Sequence, residues 1–206
     1  MIKKMRIFLD PIEGQEKWLN ERVTEGLRLS RVGRFIYEFN KCEPNQFQYA
    51  VDYIGNKSNA QRKEYENFLD EVGITYFEKP LNLGQFSIGR IKYRPYANKG
   101  GKLATSRGMI NREILILEKE YDGKTFDIYS SLEDKILALK ERRKPHFYLL
   151  IFIFIMGLYI NNIVIPPNYI YYLWVILGVI AILPMTRIIQ LSLSIKSLSD
   201  KMKINE

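Results

Sequence analysis

The chain has 206 residues, 31 Lys and Arg against 23 Asp and Glu, a net charge of +8, one cysteine and one histidine. The lone Cys42 excludes an internal disulfide and a multi-cysteine metal site, and the lone His146 leaves little for a zinc centre or a Ser-His-Asp device. From Pro145 to Thr186, 42 residues contain no Asp, Glu, Lys or Arg; the 144 residues before them are the size of one ordinary domain and carry 27 basic and 21 acidic residues, a net +6.

The N-terminus has lysines but no apolar core of 7–15 residues, so it does not read as a secretory signal, and residues 1–144 are expected to stay cytoplasmic. Met5–Leu9 alternate as a short strand. Asp10 then offers an N-cap, Pro11 suits the first helical position, and Glu13 completes a capping-box-like start. The helix places Ile12, Leu19, Val23 and Leu27 on one face, and Gly26 suits its C-terminal end. Residues 27–39 alternate as a strand bent at Gly33, Cys42–Asn45 form a turn, and Phe47, Tyr49, Val51 and Tyr53 continue as its antiparallel partner. A second helix comes after residues 56–59, with Tyr65, Phe68, Leu69 and Val72 inward and Gly73 at its end; Ile74–Lys79 is the next strand. The order β-α-β-β-α-β is that of a ferredoxin-like sheet with two helices on one face.

Residues 84–112 hold seven basic residues and no acidic one. Phe86, Ile88, Ile91 and Tyr93 are strand-like, which puts Arg90, Lys92 and Arg94 on one face, and the stretch 95–108, with Gly100-Gly101, reads as a mobile loop. Glu113–Glu120 is a strand expected to pair back with the segment before that loop, Asp122-Gly123 is a turn, and Ser130–Glu133 is a second capping box that opens a helix with Leu132, Ile136 and Leu139 on one face. That helix turns basic at Lys140–Lys144 before Pro145, which separates it from the first apolar run or kinks the junction.

Two apolar runs, Phe147–Ile165 and Tyr169–Met185, come next, split by Pro166-Pro167-Asn168. A bilayer core about 30 Å thick takes roughly 20 helical residues, so each run suffices for one crossing. Both are apolar all round, unlike core helices of a small soluble domain, which keep a polar face. Lys140, Arg142, Arg143 and Lys144 before the hairpin and Arg187, Lys196, Lys201 and Lys203 after it place both termini in the cytoplasm, and Tyr159, Tyr169, Tyr171, Tyr172 and Trp174 form an aromatic belt near the outer turn. The tail is expected to extend the second span by a turn and then lie along the interface.

The basic segment is the sharpest candidate site, with Arg90, Lys92, Arg94, Lys99, Lys102 and Arg107 either facing anionic lipid headgroups or an acidic protein partner, or forming the solvated outer face of a hairpin. Nucleic acid is disfavoured, because interleaved stacking aromatics are missing. Glu13, Glu16, Glu21 and Glu25 read as a solvated helix face, Glu38, Glu43 and Asp52 as surface carboxylates, and Cys42 as a bystander with no nearby base. Gly157 and Gly178 would permit close helix approach in a homo-oligomer.

The run Phe8–Pro44 (FLDPIEGQEKWLNERVTEGLRLSRVGRFIYEFNKCEP), the later QYAVDYIGNKS and DGKTFDIYSSLEDKI resemble a bacterial domain-of-unknown-function family. In that family a cytoplasmic domain precedes a pair of membrane helices, and the genes commonly lie beside PadR-type transcriptional repressors. The resemblance covers roughly residues 6–80 and 113–145; segment 84–112 is an insertion relative to shorter members. No catalytic residues carry over, so what the resemblance implies is a setting, a membrane protein working with a repressor or in envelope response.

Together these readings give an α+β, ferredoxin-like cytoplasmic domain over 1–129 with a basic extra hairpin, a linker helix over 130–144, a transmembrane helical hairpin over 145–187 (spans 147–165 and 169–185) and a cytoplasmic tail over 188–206. The expected function is that of a non-enzymatic, cofactor-free adapter or sensor that binds a soluble regulator, a PadR-type repressor being the class the resemblance implies. The alternative is an envelope-stress or toxin-immunity protein acting through its hairpin.

Overall fold

The computed structural model describes residues 1–8, 10–55, 57–80, 86–88, 91–93, 103–104, 113–129, 131–161 and 167–204. It divides into two units, Met1–Ile128 and Tyr129–Glu206.

In the first unit the strands are β1 (Ile2–Met5), β2 (Leu27–Val32), β3 (Ile36–Lys41), β4 (Phe47–Tyr53), β5 (Thr75–Lys79), β6 (Phe86–Ile88), β7 (Ile91–Tyr93), β8 (Leu103–Ala104) and β9 (Ile114–Glu120), with helices α1 (Glu13–Thr24) and α2 (Asn59–Glu71). They assemble as three-stranded sheets in the orders β1-β3-β2, β4-β9-β5 and β6-β7-β8, every pairing antiparallel. This corrects the single ferredoxin-like sheet. Residues 27–39 do not form one bent strand: the Gly33 N–H donates to the Ile36 carbonyl at 2.8 Å, which closes a turn and folds β2 back on β3. β4 pairs with β9 instead of with that segment. β9, expected to pair with the basic segment, is instead the central strand between β4 and β5. Its sequence gives the reason, since Ile114–Leu117 is apolar at every position and both faces are buried.

One face, with Ile114 and Ile116, joins Tyr49 and Val51 in a core shared with Phe8, Trp18, Leu19, Leu29, Tyr37 and Phe39. The other, with Leu115 and Leu117, packs with Ala50, Ile54 and Leu69, and with Tyr65 of α2. Phe8 explains why the first strand ends at Met5: its ring meets Trp18 and Tyr37 edge-on, at 5.5 and 6.0 Å between centroids. α1 starts two residues later than expected, at Glu13. The Asp10 carboxylate accepts the Ile12 N–H at 3.3 Å in a turn ahead of the helix, and Ile12 stands at the N-cap. Gly26 ends α1 at φ 73°, and any Cβ there would stand 2.9 Å from the Cys42 carbonyl oxygen. α2 opens on a full capping box between Ser58 and Gln61. Its inner face is Leu69 with Tyr65 and Arg62; Phe68 and Val72, expected inward, are 53% and 50% exposed.

The second unit is two long helices, α3 (Leu132–Asn161) and α4 (Pro167–Ile204). At 1.5 Å per residue they are about 45 and 57 Å long, both beyond a bilayer's apolar thickness. Ser131 caps α3, its hydroxyl accepting the Asp134 N–H at 3.1 Å, and Pro145 lies inside the helix without ending it. α4 likewise passes Pro184 and continues to Ile204, so the tail is one unbroken extension instead of a turn followed by a separate interfacial segment. Near the polar end of the pair the Arg143 guanidinium donates to the Ser192 hydroxyl at 2.9 Å, with Ile136, Leu139 and Leu191 buried. Near the other end, the Trp174 ring covers Gly157, where a Cβ would come within 2.5 Å of it, and its N–H donates to the Asn161 side-chain oxygen at 3.0 Å. Gly157 therefore serves packing within the chain, whereas nothing lies within 4 Å of a Cβ built on Gly178. Both helices are long and apolar enough to cross a membrane. Only 11% and 6% of their most apolar stretches are buried, where a soluble core helix would be mostly covered.

Candidate functional site

Of the sequence-predicted site residues, Lys92 lies in β7, opposite Ser87 on one side and Ala104 on the other. Arg90, Arg94, Lys99, Lys102 and Arg107 lie outside the described residues. The ionisable cluster that the structure does assemble was not anticipated. Arg28, near the start of β2, reaches Glu118 on β9, with Nη2 2.8 Å and Nε 3.0 Å from Oε1. The other carboxylate oxygen accepts the Tyr49 hydroxyl at 2.5 Å, and that hydroxyl accepts the Leu29 backbone N–H at 2.7 Å. The Arg28 guanidinium also lies 4.2 Å from the Phe47 ring centroid. The cluster therefore ties β2 of one sheet to β4 and β9 of the other across the end of the core. Burial and the bond to Glu118 push the Tyr49 hydroxyl far above its ordinary pKa, and the Glu118 hydrogen bond raises that of Arg28. Both oxygens of Glu118 are engaged, so it is no free base, and Tyr49 is no ready acid.

Cys42 is half-buried nearby, and burial raises its thiol despite the attraction of Arg28. That is the environment of an inert cysteine. Its backbone N–H donates to the Gly26 carbonyl at 2.9 Å.

A second arrangement closes the free edge of β4. On α1, the Asn20 side-chain amide donates to the Tyr49 carbonyl and accepts the Tyr49 N–H, both at 2.9 Å, and Glu16 accepts the Val51 N–H at 3.0 Å. One helix thus stands in for a neighbouring strand. Glu16 belongs to this contact instead of to a solvated face, while Glu25 pairs with Arg22 and Lys4 at 2.7 and 3.1 Å. Glu38 pairs with Lys3 at 3.3 Å.

The third arrangement is Lys79 on β5. Its side chain is almost wholly buried, donates to the Arg34 carbonyl at 3.1 Å and lies 5.5 Å from the Tyr37 ring centroid. Burial lowers its pKa from 10.5 to about 7. Beneath the same ring, Gln15 accepts the Tyr37 hydroxyl at 3.3 Å. Among the described residues no three His, Cys, Asp or Glu gather as a metal site.

The segments that carry the resemblance are thus scaffold. In EKWLN, Glu16 and Asn20 close an edge while Trp18 and Leu19 fill the core; in YEF, Tyr37 and Phe39 are core. No curated protein and no solved structure matches the chain. Residues 11–152, more than half of the sequence, match the family described as "Protein of unknown function (DUF2812)", and the chain belongs to that family.

Proposed function

We propose that this chain is a membrane-anchored cytoplasmic adapter or sensor that binds a soluble regulator and performs no chemistry of its own. The observation that carries the reading is the contrast between an apolar helical pair exposed on most sides and a domain in which Glu118, Lys79 and Glu16 are held by hydrogen bonds that tie its parts together. The first belongs in lipid. The second supports a rigid recognition scaffold, since Glu118, Tyr49 and Glu16 are spent on holding sheets and helix together.

In this reading α3 and α4 cross the cytoplasmic membrane twice, with both termini inside as the basic flanks direct. The 13 residues from 132 to 144 and the 18 from 187 to 204 then rise beyond the bilayer as a helical stalk about 20 to 27 Å long. The basic segment, through Arg90, Lys92, Arg94, Lys99, Lys102 and Arg107, meets anionic headgroups, and the soluble regulator is a PadR-type repressor, the class the resemblance implies.

Cross-linking in native membranes, followed by capture of the full-length chain, tests this. A DNA-binding regulator enriched over a control carrying only residues 129–206 is the expected outcome. Equal recovery from both, or protection from a membrane-active toxin by residues 145–206 alone, would place the activity in the hairpin.

A further inference from the structure

The two larger sheets of the first unit treat their edges unequally. β4 is closed by Asn20 and Glu16, the Leu29 N–H on β2 is taken by Tyr49, and β5 runs beside β2. β1 is different. The Arg6 N–H donates to the Phe35 carbonyl at 2.9 Å, and the register pairs Ile2 with Phe39 and Lys4 with Tyr37. In an antiparallel ladder the bonded positions alternate, so Ile2, Lys4 and Arg6 turn their backbone groups toward β3. Lys3 and Met5 therefore point N–H and C=O away from the sheet, and among the described residues neither meets a partner there.

The surroundings define what would pair with that edge. Met5 (77% exposed), its cross-strand partner Ile36 and Ile7 leave apolar surface open on the side away from the core. Lys3, Lys4 and Arg6 follow one another along the edge, with Arg34 in the turn beside Phe35. Lys3 and Lys4 have Glu38 and Glu25, but Arg6 and Arg34 have no carboxylate in ion-pair range among the described residues. A second copy is a poor fit, because pairing β1 with β1 would set these basic rows against each other.

We propose that the open edge of β1 receives an extended segment of another protein, one that alternates acidic and apolar residues and adds to the sheet as a fourth strand. This deepens the adapter reading and rests on it, since it names where and how the soluble partner docks.

The full-length chain in nanodiscs, titrated with an acetylated peptide of alternating Glu and Val and with its Lys-for-Glu counterpart, tests the proposal, read by binding and by amide exchange. The acidic peptide should bind and protect Lys3 and Met5, and the basic one should not. Met5→Pro removes only an outward donor, so Lys4 and Arg6 keep their protection while affinity falls by about tenfold or more. Arg6→Glu should weaken the acidic peptide and admit the basic one. Binding of neither peptide, equal binding of both, protection that maps elsewhere, indifference to Met5→Pro, or a dimer of the chain that Met5→Pro dissolves would each overturn it. If Met5→Pro leaves regulator capture from membranes intact, the edge falls and the adapter stands. If the wild-type chain captures no regulator, the adapter falls on its own.

Discussion

In the unit Met1–Ile128, Glu118, Lys79 and Gln15 lie in the interior, each held by named partners, while in Tyr129–Glu206 the residues open to the outside are Phe152, Phe154, Ile155 and Ile182. The difference teaches that one region hides its charges behind an apolar core while the other turns its apolar residues outward. In water, a buried carboxylate persists only when its oxygens are satisfied, as Arg28 and Tyr49 do for Glu118. An apolar surface as extensive as that of α3 and α4 calls for cover, which in the proposed reading a bilayer supplies. The contact between the helices runs from the Arg143–Ser192 hydrogen bond at one end to a ring set over a glycine and an indole hydrogen bond at the other.

The largest effect should come from breaking the interior pair of the first unit. Glu118→Ala leaves Arg28 and the Tyr49 hydroxyl without their acceptor and opens a cavity beside β9, and thermal or denaturant unfolding of the detergent-solubilised chain should show a loss of about 2–4 kcal/mol. The same cut has no counterpart in the second unit, where no carboxylate is buried among the described residues.

Lys79 sharpens the comparison through pH. Its folded pKa is lowered to about 7 from 10.5, so between those values the unfolded chain binds a proton that the folded chain does not. Stability should therefore rise with pH across that window, by up to about 1.4 kcal/mol per pH unit, and the gain should vanish in Lys79→Met. Tyr49, raised in the fold, acts in the opposite direction above pH 10, where the unfolded phenol ionises and the folded one does not; that favours the unfolded chain and caps the rise. Unfolding midpoints from pH 7 to 10.5 read both signs.

In the hairpin, Gly157→Leu forces Trp174 off its seat at a cost of about 1–3 kcal/mol. Trp174 fluorescence in nanodiscs should shift, while amide exchange in β4 and β9 stays as it was. Asn20→Ala makes the converse and smallest change, about 1–2 kcal/mol, with faster exchange at the Tyr49 amide and no change in the Trp174 signal.

Much of the local structure is legible in the sequence. The uncharged stretch, the glycine ends of α1 and α2 and the Ser58 cap depend on neighbours a few residues away, whereas the α3 cap bond joins Ser131 and Asp134, one residue beyond the expected box over 130–133. The two-sheet assembly is not legible, because periodicity identifies a strand but does not choose its partner. β9 finds β4 across some sixty residues, and Arg28 finds Glu118 across ninety. Nor does Asn20 announce itself: its spacing reads as an ordinary polar helix position until the edge of β4 is brought beside it. The basic segment shows the opposite limit. Its composition singled it out, while five of its six named residues fall outside the described structure.

Everything proposed for the first unit depends on α3 and α4 crossing a membrane twice and holding that unit on the cytoplasmic side. Single cysteines at Asn162 and at Ser199, placed in a Cys42→Ser background, can be probed in intact cells with a membrane-impermeant maleimide. Asn162→Cys should label in intact cells and Ser199→Cys only after permeabilisation. Labelling of Ser199→Cys in intact cells, or recovery of the chain in the soluble fraction, would contradict the two-pass anchor.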